Sequence, residues 1–164
     1  MIRSMLYATD LGVYAPYVLQ HALALARSFK AELHVVHAVE PMGPFGESLL
    51  RNCLDEGTLH NLRQRQVRDV LATLEQRLVQ DLREDLADSG HDLALIRAVR
   101  VLQGEAAQVI LDQARRLAVD LVVMGSRCAS GDQAPALGST ASRVLQLAHA
   151  PVYLVPRPQV ELAH

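Results

Sequence analysis

The residues best suited to chemistry lie near the end of the chain, on either side of a nine-residue spacer. Gly125-Ser126-Arg127 follows a short apolar run, and Gly138-Ser139-Thr140 opens a helix-like segment after the spacer Ala129–Leu137. Backbone N–H groups at a helix start, with hydroxyls beside them, bind anions, and an arginine neutralises phosphate charge. The spacing therefore predicts a phosphate site between the two ends of this loop. The alternative is that Gly125 only turns the chain and that Ser139 or Thr140 only caps the helix.

The single lysine narrows the kind of phosphate chemistry. Lys30 is the only lysine among 16 basic side chains, and it stands between Phe29 and Ala31. It therefore belongs to no Gly-x-x-x-x-Gly-Lys-Ser/Thr phosphate loop. The formal net charge of -2 also differs from the strongly basic balance typical of nucleic-acid-binding domains. The composition thus disfavours P-loop nucleotide hydrolysis and a nucleic-acid partner.

Histidines and cysteines are too scattered to indicate a metal site. The seven histidines include His34 and His37, which lie three apart on a predicted strand and so face opposite sides of it. Cys53 and Cys128 have no Cys-x-x-Cys spacing, so neither a zinc site nor a disulfide framework is expected. His37, near the end of its strand, either faces a cleft or is buried and hydrogen-bonded. Cys128 beside Arg127 leaves two further hypotheses, a nucleophilic thiol and a redox sensor, and no catalytic residue is otherwise predicted.

Five short apolar runs alternate with segments of helical periodicity. The runs predict strands at 2–9, 32–39, 94–102, 121–124 and 152–155. The segments between them predict helices at 16–29, 59–87, 105–118 and 139–148. Strict alternation of strands and helices favours an α/β fold, a parallel sheet with helices on both faces. Ligands of such sheets bind beyond the carboxyl ends of the strands, so we expect the site at the strand-to-helix junctions.

One domain accounts for the whole chain of 164 residues. We expect it to span residues 1–156, with an irregular loop at 41–58 and a short tail at 157–164. In the long helix, an apolar stripe that includes Leu59, Val70 and Leu86 is expected to cover the sheet. No apolar run approaches the roughly 20 residues that span a bilayer, so no membrane contact is predicted, and the cytoplasm is the expected location.

Several segments of this sequence resemble those of the universal stress protein family. The nucleotide motif of that family is Gly-x-x-Gly, nine residues, then Gly-Ser/Thr, and Gly125 and Gly138-Ser139 match it without a gap. The similarity covers nearly the whole chain apart from 41–58 and the tail. It is also carried by Ala8-Thr9-Asp10, Val36–Val39, Gly104–Ile110, Val119–Arg127 and Ala150–Val155. The resemblance implies a five-stranded parallel sheet of order 3-2-1-4-5, Rossmann-like and similar to that of adenine nucleotide α-hydrolases.

In ATP-binding members of this family, adenosine lies against strands one and two, and the phosphates lie on the glycine motif. Carried over by position, this implies that ATP, accompanied by Mg²⁺, binds at the cleft between strands one and four. Asp10 is then a polar partner of ribose or base, although an aspartate at this place also commonly caps a turn. The implied nucleotide-binding residues are Ala8, Thr9, Asp10, Ala38, Met124, Gly125, Arg127, Cys128, Gly138, Ser139 and Thr140.

One position departs from the family motif. Cys128 stands where the second glycine is expected, and Asp132 adds a negative charge to the spacer. If the backbone there is left-handed, a side chain costs roughly 1–2 kcal/mol, which corresponds to about five- to thirty-fold weaker binding. Gly131 lies three residues later and offers a shifted register. We therefore expect nucleotide binding to be weakened or altered.

These observations lead to two hypotheses for function. The first is a universal stress protein that binds ATP in the stress response and is not an enzyme, because no general base for efficient hydrolysis is recognisable. The second is a stress-responsive dimer that binds no nucleotide and acts through protein contacts. In both, strand 152–155 is expected to be an exposed sheet edge through which two copies pair, with a downstream protein that the sequence does not name. An α-hydrolase-type enzyme is disfavoured, because Thr9-Asp10-Leu11-Gly12 replaces the Ser-Gly-Gly-x-Asp-Ser loop after strand one.

Overall fold

The computed structural model describes residues 1–41, 43, 52, 55–127 and 137–158. Its strands are β1 (Ser4–Ala8), β2 (Glu32–Val39), β3 (Ile96–Gln103), β4 (Leu121–Gly125) and β5 (Val152–Val155). Within the described residues the helices are α1 (Ala15–Phe29), α2 (Glu56–Asp85), α3 (Gly90–Leu95), α4 (Ala106–Arg116) and α5 (Ser139–Leu147). The strands pair in parallel in the order β3-β2-β1-β4-β5. The predicted fold class and strand order are confirmed.

Alternation along the strands divides the core into two layers. On β2, Leu33 and Val35 face one layer and Val36 faces the other. The first layer packs against α1, α2 and α3, and the second packs against α4 and α5. Because apolar residues recur on one side of each helix, such as Val18, Leu19, Ala22, Leu23 and Ala26 on α1, the helices cover both faces of the sheet.

Two strands begin later than the sequence predicts. The strand predicted at 94–102 begins only at Ile96, because the residues before it form the short helix α3. This helix packs Leu93 and Leu95 against the first core layer. The strand predicted at 2–9 is likewise limited to β1, where backbone pairing with β2 and β4 holds.

The long helix α2 is confirmed, but its apolar stripe is narrower than predicted. Val70 is 55% exposed and lies off the stripe. Three leucines at the C-terminal end of the stripe are buried: Leu78, Leu82 and Leu86. The predicted irregular loop at 41–58 ends where α2 begins at Glu56, and most of its remainder, like residues 159–164, lies outside the described residues. In the described part of the chain, no helix combines the length and apolar composition that a membrane crossing requires.

The edge of the sheet at β3 is covered by α2. The carboxylate oxygen Oε2 of Glu75 accepts a hydrogen bond from Val101 N at 3.2 Å. A backbone donor that would otherwise face outward is thus satisfied by a side chain of the same molecule.

The edge at β5 differs from the β3 edge. Ser126 N donates to Val155 O at 2.9 Å, so the backbone groups of Val155 face β4. Because backbone direction alternates along a strand, Leu154 and Val152 turn their N–H and C=O groups to the free side. No partner for these groups is found among the described residues, which therefore leave the β5 edge open.

Candidate functional site

A cavity of about 270 Å³ opens beyond the carboxyl ends of β1, β2 and β4. Because β1 is flanked by β2 on one side and by β4 on the other, the cavity lies where the direction of winding reverses. Ten of the eleven residues predicted to bind nucleotide line it, and Cys128 lies outside the described residues. The ten are Ala8, Thr9, Asp10, Ala38, Met124, Gly125, Arg127, Gly138, Ser139 and Thr140. Their role in binding stays a prediction.

The cavity also has walls that the sequence did not single out. Tyr14 and Val18 come from the start of α1, which folds back over the sheet, and Ile110 comes from α4. No local motif marks these three residues, because they reach the cavity only through helix packing. Glu40, by contrast, lies two residues beyond Ala38, so its position after the end of β2 was a usable signal.

The turn after β1 is held by two side chains. Asp10 Oδ1 accepts a hydrogen bond from Gly12 N at 2.8 Å, and Thr9 Oγ1 accepts one from Leu11 N at 3.1 Å. A Cβ at Gly12 would lie 3.1 Å from Asp10 Oδ1, so glycine keeps this turn tight. The turn-capping role considered for Asp10 is therefore observed. Its other oxygen, Oδ2, has no hydrogen-bond partner among the described residues, and the carboxylate is exposed.

Beneath this turn, Tyr7 ties β1 to the start of α1. Its hydroxyl donates a hydrogen bond to Ala15 O at 2.9 Å. Burial raises the pKa of Tyr7 to about 12, against the opposing effect of a hydrogen bond with Thr9 and with a small contribution from the negative charge of Asp10. The hydroxyl thus stays protonated at neutral pH and remains a donor. It anchors α1 under the wall that Ala15 contributes to the cavity.

The backbone of Ala38 faces the cavity side of β2. Thr9 N donates to Val36 O at 2.9 Å, which shows that the backbone groups of Val36 point towards β1. Ala38 is two residues further along, so its N–H and C=O point the same way. Because the pairing of β1 with β2 ends at Ala8 and Val36, no residue of β1 stands opposite Ala38. A donor and an acceptor of the main chain are therefore presented together to the cavity.

The start of α5 closes the other end of the cavity. Gly138 is its N-cap residue, so Ser139 and Thr140 lie inside the first turn and neither is the cap. Gly138 N donates to Ser126 O at 2.8 Å, which fixes the helix start beside the end of β4. The capping alternative considered for Ser139 and Thr140 is therefore wrong, because the cap position falls on the glycine before them.

The starts of α4 and α5 differ in their electrostatics. The Glu105 carboxylate accepts hydrogen bonds from Ala107 N at 3.1 Å and Gln108 N at 2.9 Å, so α4 begins with a built-in anion. For α5, no side-chain cap is present at Gly138. Its first-turn N–H groups, with the positive end of the helix dipole, are therefore suited to an external anion.

Gly125 lines the cavity without a side chain, although its backbone conformation does not require a glycine. A Cβ placed there would lie 3.5 Å from Val18 Cγ2 and 3.7 Å from Arg127 O, which are ordinary contact distances. Its φ is also outside the positive region. The folded chain by itself thus tolerates a side chain at Gly125, so the interpretation that it only turns the chain has no support in the backbone.

Comparison with known proteins decides the family. A model of the universal stress protein family matches residues 1–156. The chain belongs to the universal stress protein family. The universal stress protein YxiE of Bacillus subtilis is 31% identical over 156 residues, which cover 94% of this chain and 99% of YxiE.

Solved structures agree with the fold of this universal stress protein. The structure of MJ0577 has a TM-score of 0.70 at 20% identity and covers 98% of this chain and 99% of its own. A universal stress protein in complex with cAMP has a TM-score of 0.53 at 14% identity, with 94% and 97% covered. These likenesses show the arrangement of strands and helices.

Two further features bear on the chemistry of this universal stress protein. Among the described residues, no group of three histidine, cysteine, aspartate or glutamate side chains is arranged to hold a metal ion. His37 faces the cavity and is half-buried, and its Nδ1 is hydrogen-bonded to Thr9 O at 2.8 Å.

Proposed function

We propose that this universal stress protein binds an adenine nucleotide, ATP with Mg²⁺, in the cavity above β1 and β4, and that it acts in the stress response by holding the nucleotide. The observation that carries the proposal is the convergence of ten predicted residues on one cavity at the point where the sheet reverses its winding. A universal stress protein of the same fold has been solved with cAMP, which supports an adenine nucleotide as the ligand class.

The base is assigned to the β2 side of the cavity. The edge of adenine carries a ring-nitrogen acceptor beside an amino donor, which complements the N–H and C=O groups of Ala38. Guanine carries a carbonyl oxygen in place of that amino group, so it leaves two acceptors facing each other. The free Oδ2 of Asp10 is suited to a ribose hydroxyl. We therefore expect ATP, AMP and cAMP to bind more tightly than GTP.

The phosphates are assigned to the other end. The first-turn N–H groups of α5 and the hydroxyls of Ser139 and Thr140 supply donors, and Arg127 supplies positive charge. The carboxylates that line the described cavity, Asp10 and Glu40, follow β1 and β2 rather than β4. Because neither of these carboxylates lies at the phosphate end, we expect slow hydrolysis at most, and a protein that is not an enzyme.

Titration calorimetry with Mg²⁺ and each nucleotide tests this function. Wild-type protein is expected to bind ATP, and Arg127→Ala is expected to bind it about ten- to a hundredfold more weakly, because a hydrogen bond to a charged group contributes about 1.5–3 kcal/mol. The matched control is Arg115→Ala, since Arg115 lines a separate cavity at the amino ends of β4 and β5. Cys128→Gly restores the family motif and is expected to tighten binding. Absence of binding at millimolar ATP would overturn the proposal.

We also infer that two copies pair through β5. The support is the β5 edge, where the outward backbone groups of Val152 and Leu154 have no partner among the described residues, whereas at the opposite edge Glu75 takes the outward Val101 N–H. An aromatic row beside it, formed by Tyr17, His21 and Tyr153, adds exposed contact area.

Sedimentation analysis of two variants at one position tests the dimer. Leu154→Pro removes the outward N–H and leaves the ladder to β4 intact, so it is expected to be monomeric. Leu154→Ala removes the same side chain but keeps the N–H, so it is expected to remain a dimer. A wild-type mass equal to that of the monomer would contradict this inference. A stable dimer that binds no ATP would favour the alternative, a stress-responsive dimer acting through protein contacts.

A further inference from the structure

The imidazole of His37 is hydrogen-bonded to a main-chain carbonyl oxygen directly after β1. Thr9 N donates to Val36 O at 2.9 Å, as expected for the next step of the parallel ladder. Thr9 O, however, accepts its hydrogen bond from His37 Nδ1 at 2.8 Å. A carbonyl oxygen only accepts, so Nδ1 carries the proton of this bond.

The ladder itself offers a competing partner for Thr9 O. In a parallel pair, a residue whose N–H bonds to one residue of the neighbour turns its C=O to the N–H two residues further along. Since Thr9 N is bonded to Val36, the regular partner of Thr9 O is Ala38 N. No hydrogen bond joins these two atoms in the structure, because the side chain of His37 takes the place of that N–H.

We propose that His37 is a positioning residue that holds the end of the β1–β2 ladder open and so keeps the Ala38 N–H available to a ligand. This inference rests on the proposed function, because the ligand is the base of the nucleotide. Without the imidazole, Thr9 O lacks a partner, and forming the next ladder bond with Ala38 N satisfies it. That bond consumes the donor that faces the cavity.

Two substitutions of His37 distinguish its hydrogen bond from its packing. Asparagine places an amide N–H close to the position of the imidazole Nδ1, so His37→Asn retains a donor for Thr9 O. Phenylalanine fills similar volume and offers no donor, so His37→Phe frees Thr9 O. A role in packing alone predicts that Phe is the better replacement, whereas the positioning role predicts that Asn is.

Amide hydrogen exchange of the nucleotide-free protein, followed by NMR, tests the inference directly. In wild type, the Ala38 amide is expected to exchange at least about tenfold faster than the Val36 amide, which lies within the β1–β2 pairing. His37→Phe is expected to slow Ala38 exchange about tenfold, and His37→Asn to leave it at the wild-type rate. The matched control is His91→Phe, at an exposed histidine of α3.

Nucleotide titration of the same variants completes the test. His37→Phe is expected to bind ATP about tenfold more weakly than wild type, and His37→Asn within about threefold of it. Wild-type protection of Ala38 equal to that of Val36 would overturn the inference, even if His37→Phe fails to fold. Unchanged Ala38 exchange in a folded His37→Phe would overturn it as well. Because exchange is measured without nucleotide, failure of wild type to bind ATP defeats the proposed function and not the open ladder.

Discussion

The guanidinium Nη1 of Arg27 lies 2.6 Å from Oδ1 of Asp92, so an ion pair fastens α3 to the last turn of α1. The Asp92 side chain is only 8% exposed, whereas that of Arg27 is 47% exposed. Arg27→Ala leaves a buried carboxylate without its cation, and we expect the free energy of unfolding to fall by about 1–2 kcal/mol, since solvent already screens the arginine. Urea unfolding of Arg27→Ala, of Asp92→Ala and of the double variant measures this loss of stability. The double variant should lose less free energy of unfolding than the sum of the two single losses. Strict additivity would argue against an ion pair between Arg27 and Asp92.

Gly104 is required by the packing of α4. Its φ of +153° is rare for side-chain-bearing residues, and a Cβ there would lie 2.8 Å from Val109 Cγ2. Gly104→Ala is therefore expected to lower the free energy of unfolding by about 1–3 kcal/mol. Gly90→Ala is the control, because a Cβ at Gly90 meets nothing within 4 Å, and its effect should stay within about 1 kcal/mol. Equal effects of the two substitutions in thermal unfolding would refute the steric argument.

A substitution at Gly125 is expected to change ATP affinity but not the free energy of unfolding. Because its Cβ would meet Val18 and Arg127 only at ordinary distances, Gly125→Ala should change the free energy of unfolding by less than about 1 kcal/mol. The added methyl group takes space from a cavity of about 270 Å³, so ATP affinity should fall, by about tenfold if one close contact is lost. Calorimetric titration checks the affinity, and urea unfolding of the same preparation checks the stability. An unchanged affinity would show that the ligand does not approach this backbone.

Asp120 makes the stability of the sheet depend on pH. Its Oδ2 accepts hydrogen bonds from Arg3 N at 2.8 Å and Ser4 N at 3.0 Å, and these two bonds hold the pKa of Asp120 below its ordinary value of 3.8. A depressed pKa stabilises the folded state above the unfolded value, and this contribution is lost as the pH falls through the folded value.

Asp120→Asn should therefore be less stable than wild type near pH 6, and the difference should shrink from about pH 4 downward. Urea midpoints of both proteins across that range provide the measurement. Asp88→Asn, at an exposed aspartate between α2 and α3, serves as the control. A difference that stays constant down to about pH 3 would contradict the role of the charge.

Much of the fold could be predicted because its signals are local. The apolar run at 32–39 coincides with β2, and the remaining runs and periodic segments alternate as in other parallel α/β sheets. The cavity residues on β1, β2 and β4 followed from a single geometric fact, that the carboxyl ends of parallel strands share one edge. The family motif then placed Gly138 and its neighbours opposite Gly125, and the bond from Gly138 N to Ser126 O reflects that closeness.

What could not be predicted depends on contacts between distant residues. Helix α3 has six residues and begins with a glycine, so it is too short to show a periodicity, and its Asp92 is explained only by Arg27 on α1. Leu11 adopts a left-handed φ of 56° without being a glycine, within a turn whose Thr9 hydroxyl accepts from its N–H. The open peptide of Ala38 likewise follows from strand register and from the His37 bond to Thr9 O.

The Glu75 bond to Val101 N bears on how other copies could extend the sheet. A sheet with two open edges can add strands at both ends and grow without limit. Here Glu75 takes one outward backbone donor of β3, so the inferred two-fold pairing of β5 with β5 would use the edge that the described residues leave open. If two copies pair in this way, growth stops at ten strands, and the assembly is a finite particle rather than a filament. Glu75→Ala reopens the second edge and is the change we expect to promote higher oligomers.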